Sequence, residues 1–129
     1  MTALTPIRVV ADHFDLAVST LHYWERRGLI TPHRRAGKRW YDTDQLYRIA
    51  LIKQWRTTGL FSLEQIALML DDGPDWLDGV AARIEEIERQ QAELATARAY
   101  LDRLLGCRSR GIPERCPGFR AETEIPAPR

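Results

Sequence analysis

Val18-Ser19-Thr20-Leu21-His22-Tyr23-Trp24-Glu25-Arg26-Arg27-Gly28 is the stretch whose reading decides the fold. At helical spacing, Leu21 and either Tyr23 or Trp24 face inward, and Gly28 stands where a left-handed stop is expected. The remaining face carries Ser19, Thr20, His22, Tyr23, Arg26 and Arg27. Toward the N-terminus, Thr5-Pro6-Ile7 reads as a cap with proline at the first helical position, followed by the apolar stripe Ile7, Val10, Ala11 and Phe14. A tight connection through Asp15-Leu16 then joins two short helices, which is the form of a helix-turn-helix. The N-terminal part of its second helix can enter a DNA major groove. There Ser19 and Thr20 can bond bases or phosphates, His22 and Tyr23 can bond phosphates, and Arg26 and Arg27 supply charge. For each residue alone, an ordinary solvated helix face is the alternative.

Downstream, Thr31-Pro32 breaks the pattern. Arg34, Arg35, Lys38 and Arg39 surround Gly37, and Trp40-Tyr41 returns as a short apolar strand. This predicts a basic β wing able to grip phosphates beside the helix, or else a plain basic loop. Thr43-Asp44 is expected to cap a third helix carrying Leu46, Ile49, Ala50, Ile52, Lys53 and Trp55 and ending near Gly59. Ser62-Leu63-Glu64-Gln65 has the form of a capping box opening a fourth helix, with Leu63, Ile66, Ala67 and Leu70 inward and a stop at Asp71-Asp72-Gly73-Pro74.

From about residue 75 to 106, Leu77, Val80, Ile84, Ile87, Gln91, Leu94, Arg98, Leu101 and Leu105 recur at alternating spacings of three and four. A helix of this length, at about 1.5 Å per residue, is a rod on the order of 45 Å. Such a heptad seam needs a partner helix. The polar seam residues Gln91 and Arg98 favour a specific register, hence a homodimer. A helix packed on its own domain is the alternative. After Gly106 the chain is rich in Arg, Pro and Gly and is expected to be irregular, fraying beyond Phe119.

Net charge is +1 over 129 residues, but it is segregated. Residues 1–60 hold 10 Lys/Arg against 5 Asp/Glu, residues 61–106 hold 4 against 10, and residues 107–129 hold 5 against 3. A basic front and an acidic rear would orient the protein on a polyanion. Hydrophobic runs fall short of the ~20 residues that span a bilayer, and the N-terminus lacks a signal layout. The reading is therefore cytoplasmic, without a membrane partner. No Gly-rich phosphate loop, metal-ligand helix motif or nucleophile signature is present, which argues against an enzyme. The rival reading is a coiled-coil adaptor whose basic half docks on acidic partners.

The stretch Thr20-Leu21-His22-Tyr23-Trp24-Glu25-Arg26-Arg27-Gly28-Leu29-Ile30 resembles the recognition helix of the MerR family of transcriptional regulators. Gly37-Lys38-Arg39-Trp40-Tyr41 resembles the family wing, and Gly59-Leu60-Phe61-Ser62-Leu63-Glu64-Gln65-Ile66 the opening of its fourth helix. The likeness covers residues 7 to about 106. It implies an all-α fold with a small β wing: a winged helix-turn-helix domain over 1–73, an antiparallel dimerisation coiled coil over 75–106, and a tail over 107–129. It also implies a homodimer on double-stranded promoter DNA that activates by distorting the promoter spacer, with RNA polymerase as a further partner. By resemblance, Arg39 and Tyr41 contact phosphates from the wing and Tyr23 from the recognition helix, and the third and fourth helices touch the DNA backbone further out. Two departures stand out. His22 replaces the usual arginine, and Ala17 stands where the family often places a Ser or Thr cap, worth roughly 1 kcal/mol.

Cys107 and Cys116 follow the coil directly. Thiol-sensing and metal-sensing members of the family carry a pair placed like this. Two thiolates suit a soft ion such as Cu(I) or Hg(II), whereas Zn(II) would want further ligands. His13, His22 and His33 all lie in the front half. Arg108, Arg110 and Arg115 could instead lower a thiol pKa and favour redox chemistry. Simple packing in a Cys-Pro turn is the third option.

Overall fold

The computed structural model describes residues 3–71, 75–107 and 111–129. In chain order the elements are β1 (Thr5–Pro6), α1 (Ile7–Phe14), α2 (Val18–Arg26), β2 (His33–Arg35), β3 (Lys38–Tyr41), α3 (Thr43–Thr57), α4 (Leu63–Leu70), α5 (Trp76–Leu105), a 3-10 turn (Pro113–Arg115) and α6 (Pro117–Glu122). This is the expected helical fold with a small sheet. Asp72, Gly73 and Pro74 of the expected stop, and Arg108 and Arg110 beside the cysteines, lie outside the described residues. The chain divides into two compact units, Met1–Arg83 and Ile84–Arg129. The start of α5, residues 76–83, therefore belongs to the first unit.

In the first unit the apolar stripes of four helices converge. Val10 and Ala11 of α1, Leu21 and Trp24 of α2, Ile49 and Ile52 of α3 and Ile66 of α4 are buried together with Leu29, Ile30, Tyr41 and Phe61. Of the two candidates on α2, Trp24 is the inward one and Tyr23 is exposed. Ser62 accepts from the Gln65 amide at 3.1 Å, while the Gln65 side chain accepts from the Ser62 amide at 2.8 Å, which closes the capping box. The start of α5 packs here too. The Trp76 and Trp55 rings lie 5.9 Å apart, and Arg83 donates to the Gly59 carbonyl at 3.3 Å. Gly79, in the first turn of α5, permits this approach, since a Cβ there would come within 2.5 Å of the Met69 sulfur.

Three local expectations are corrected. Thr5-Pro6 forms a strand, with Thr5 paired to Tyr41 and Pro6 to Trp40 at the edge of the sheet, where proline's missing N–H is tolerated; Pro6 therefore stands at the N-cap of α1, without a side-chain cap, and not at the first helical position. The cap of α3 is Asp42, whose carboxylate accepts from the Gln45 amide at 2.9 Å. The tail is less irregular than expected, because Pro117 opens α6, and α6 runs past Phe119 to Glu122. Proline's preset φ suits a first helical position, and the Thr123 hydroxyl donates to the Phe119 carbonyl at 2.7 Å.

The sheet order is β1-β3-β2, all antiparallel. Arg35 pairs with Lys38 across a two-residue turn in which Ala36 (φ 50°) and Gly37 (φ 73°) are both left-handed. Two positive φ values mark the hairpin turn whose twist matches its strands and which prefers Asn-Gly. Ala36 bears a left-handed penalty that Asn tolerates, so Ala36→Asn is expected to stabilise the domain by roughly 0.5–1 kcal/mol. A higher urea midpoint at unchanged m shows it. A lower midpoint would mean that the wing adopts a different turn.

Candidate nucleic-acid interface

The α1–α2 connection turns sharply because Asp15 adopts φ 54° and the Leu16 amide donates to the Ala11 carbonyl at 2.9 Å. α2 starts after Ala17, which is extended and supplies no side-chain cap, as its residue type dictates. Hydrogen-bonding capacity in the first turn is thus open to an external acceptor such as phosphate. With Leu21 and Trp24 in the core, Ser19, Tyr23, Arg26 and Arg27 are exposed, and Thr20 and His22 are half-buried. The predicted α2 set therefore lies on the outer side of the helix, apart from partial cover at these two positions.

α3 brings further groups against α2 that the sequence reading did not assign. Lys53, Arg56 and Thr57 line an open cleft of about 470 Å³ together with Ser19, Thr20 and Tyr23. Their spacing of three and four on one helix was the available signal, hidden by the apolar stripe beside it. Lys53 donates to the Phe14 carbonyl at the end of α1, and Arg56 to the Phe61 carbonyl at 3.3 Å. Arg27 donates to the Tyr23 hydroxyl at 3.1 Å and to Glu64 of α4 at 3.3 Å. The Tyr23 bond, more than Glu64, holds the guanidinium above its usual pKa. The Glu64 carboxyl is held low by its own backbone N–H and then by Arg27.

On the wing, Arg34, Arg35 and Lys38 are exposed. Arg39 is not free at the surface, being half-buried and paired to Glu25 of α2 at 2.9 Å, with Arg34 reaching the same carboxylate at 3.3 Å. Tyr41, expected at a phosphate, is corrected outright. Its register with Thr5 carries it into the core, where it is 0% exposed. Burial, followed by the Glu25 charge, pushes its phenol pKa up. Its hydroxyl and the Trp40 indole N–H are buried with no partner among the described residues. At the base of the wing, His33 meets Asp42 at 2.8 Å. The Asp42 carboxyl is held low, first by the Gln45 amide and then by His33.

In the second unit, seam residues of α5 lie open within the single chain. Leu94 is 69% exposed and Leu105 85%, and Gln91, Arg98 and Leu101 are exposed as well. Of the seam residues in the first unit, Leu77 is exposed and Val80 is half-buried against the core. Beyond α5, the Cys107 and Cys116 sulfurs stand 2.8 Å apart. The Cys116 thiol is held below its usual pKa, mainly by the hydrogen bond with Cys107 and then by the Phe119 amide. Among the described residues no group of three or more His, Cys, Asp or Glu side chains could hold a metal. No described helix is long and apolar enough to cross a membrane.

Comparison with known proteins agrees with this architecture. Residues 6–73 match the family described as MerR HTH family regulatory protein, and residues 46–104 match one described as MerR, DNA binding. The nodulation protein NolA of Bradyrhizobium elkanii is 32% identical over 94 residues, covering 71% of this chain, which spans only 42% of NolA. The HTH-type transcriptional regulator CueR of Salmonella typhimurium is 30% identical over 118 residues, 84% of this chain and 79% of CueR. The crystal structure of the transcription regulator PbrR691 from Ralstonia metallidurans CH34, in complex with lead(II), shares the fold. Its TM-score is 0.69 at 21% identity, over 91% of this chain and 98% of that one. On the family match across the helix-turn-helix, wing and second helix pair, the chain belongs to the MerR HTH family of regulatory proteins.

Proposed function

We propose that this chain is a sequence-specific DNA-binding transcriptional regulator that sits on promoter DNA as a homodimer. One observation carries the reading. The outer side of α2 and the exposed basic wing are joined through Glu25 in a single compact unit, so a groove-entering helix and a phosphate-gripping hairpin act together. Ser19, Thr20, His22, Tyr23 and Arg26 supply the helix contacts. Arg34, Arg35 and Lys38 supply wing contacts, with Arg39 behind them and Lys53 and Arg56 flanking. The exposed seam of α5 supports antiparallel pairing of two chains through Ile84, Ile87, Leu94, Leu101 and Leu105. In keeping with the family, the dimer activates by distorting the promoter spacer ahead of RNA polymerase, in the cytoplasm, and performs no catalysis.

The signal enters at Cys107 and Cys116. Two thiols, with no third His, Cys, Asp or Glu grouped beside them among the described residues, fit a two-coordinate soft ion such as Cu(I) or Hg(II), which would supply a cross-link between the end of α5 and the start of α6 when bound. The lowered Cys116 pKa favours the thiolate that such an ion requires. Selection of genomic fragments by the purified protein tests the DNA reading. A discrete set of duplexes should be recovered, with binding that falls steeply as salt rises. Failure to retain any duplex at low salt, with acidic proteins retained instead, would favour the coiled-coil adaptor.

A further inference from the structure

Glu25 places a negative charge in the middle of the basic surface that the DNA reading requires, and its geometry gives it a task. Its carboxylate, on α2, is largely buried and accepts from Arg39 Nε on both oxygens, at 2.9 and 3.2 Å, and from Arg34 Nη2 at 3.3 Å. Arg34 and Arg39 are register partners across the wing hairpin. One carboxylate therefore gathers both strands of the wing onto the recognition helix. The contact with Arg39 uses only Nε, and among the described residues no acceptor engages its two Nη groups. A guanidinium can be gripped at one edge and still offer a second pair of donors, which an ammonium cannot do with the same geometry.

We infer that Glu25 is a positioning residue for DNA binding: it fixes the wing to α2 and holds Arg39 by Nε so that the Nη pair is kept for a phosphate oxygen of duplex DNA. The inference rests on the DNA-binding reading and deepens it. It makes a prediction opposite in sign to plain electrostatics. Removing an acidic charge from a DNA-binding face should tighten binding if charge alone mattered. If Glu25 positions Arg39, removing it should weaken binding.

The test measures affinity of the full chain for a duplex of mixed sequence across a salt series. Glu25→Gln is expected to bind about tenfold more weakly, with a salt slope reduced by about one. Arg39→Lys, which keeps the charge, is expected to lose the same amount, and the double variant should be no weaker than either single one, as for residues acting as a unit. A merely structural contact would leave the slope alone. Should Glu25→Gln fail to fold, Arg39→Lys carries the test by itself. Glu25→Gln binding as tightly as wild type or more tightly, or Arg39→Lys indistinguishable from wild type, overturns the proposal while leaving DNA binding intact. Wild-type protein that binds no duplex overturns the DNA reading and this proposal together.

Discussion

Leu94→Arg is expected to leave the protein monomeric at micromolar concentration. Leu94 is 69% exposed in the single chain and lies one helical turn from Gln91, the midpoint of a seam running from Leu77 to Leu105. Two symmetry-related arginines would have to be desolvated where the paired helices meet. Burying a charge without a partner costs on the order of 3–5 kcal/mol, so even one site weakens the dimer by about a hundredfold to a few thousandfold. The first unit closes at Arg83 with its own core and should stay folded, so far-UV circular dichroism and thermal unfolding serve as controls. Light scattering that still reports a dimer would place the interface elsewhere.

Serine at Cys107, Cys116 or both is the second large effect. Wild type should bind one soft ion per cysteine pair, and each single variant should lose it, because a hydroxyl is a poor ligand for such ions. Both thiols must give up protons to bind the ion, so affinity should fall as pH drops. Transcription with the ion present should then fail in the variants while DNA affinity moves little, since switching redistributes two DNA-bound shapes. If instead a peroxide alone changes transcription, with the mass falling by two hydrogens, the pair acts as a redox switch. If the double variant transcribes like wild type under both treatments, the cysteines are packing residues.

The depressed pKa values of Asp42 and Glu64 carry a stability consequence with a definite sign. Each carboxyl binds its proton less readily in the folded chain. Their contributions are therefore present above the ordinary carboxylate range and are lost as pH falls through the lower folded values. Glu64 is exposed and Asp42 half-buried, so screening reduces the contribution, most of all at Glu64.

Much of the molecule was legible in the sequence because it is local. The helix-turn-helix, the capping box at Ser62 and the left-handed Gly28 follow from residue type at short spacing, and so does the long seam. What was missed is long-range or hidden by a stronger pattern. The pairing of Thr5 with Tyr41 turned an apparent cap into a strand and drew a tyrosine expected at a phosphate into the core. Glu25 has no assignment in the sequence reading, and only folding the wing across it brings Arg39, 14 positions away, onto its carboxylate. Lys53, Arg56 and Thr57 belong to a helix read for its apolar stripe, and only the fold brings them to one cleft with Ser19, Thr20 and Tyr23 of α2.

If two copies of this chain grip one duplex, each through α2 and its wing, then footprinting a selected fragment and weighing the complex by sedimentation should show two chains per duplex and two symmetry-related protected patches. The centres of the patches are expected to be separated by whole turns of DNA at about 10–10.5 base pairs per turn. A single protected patch with one chain bound, or protection that survives Leu94→Arg unchanged, would contradict it.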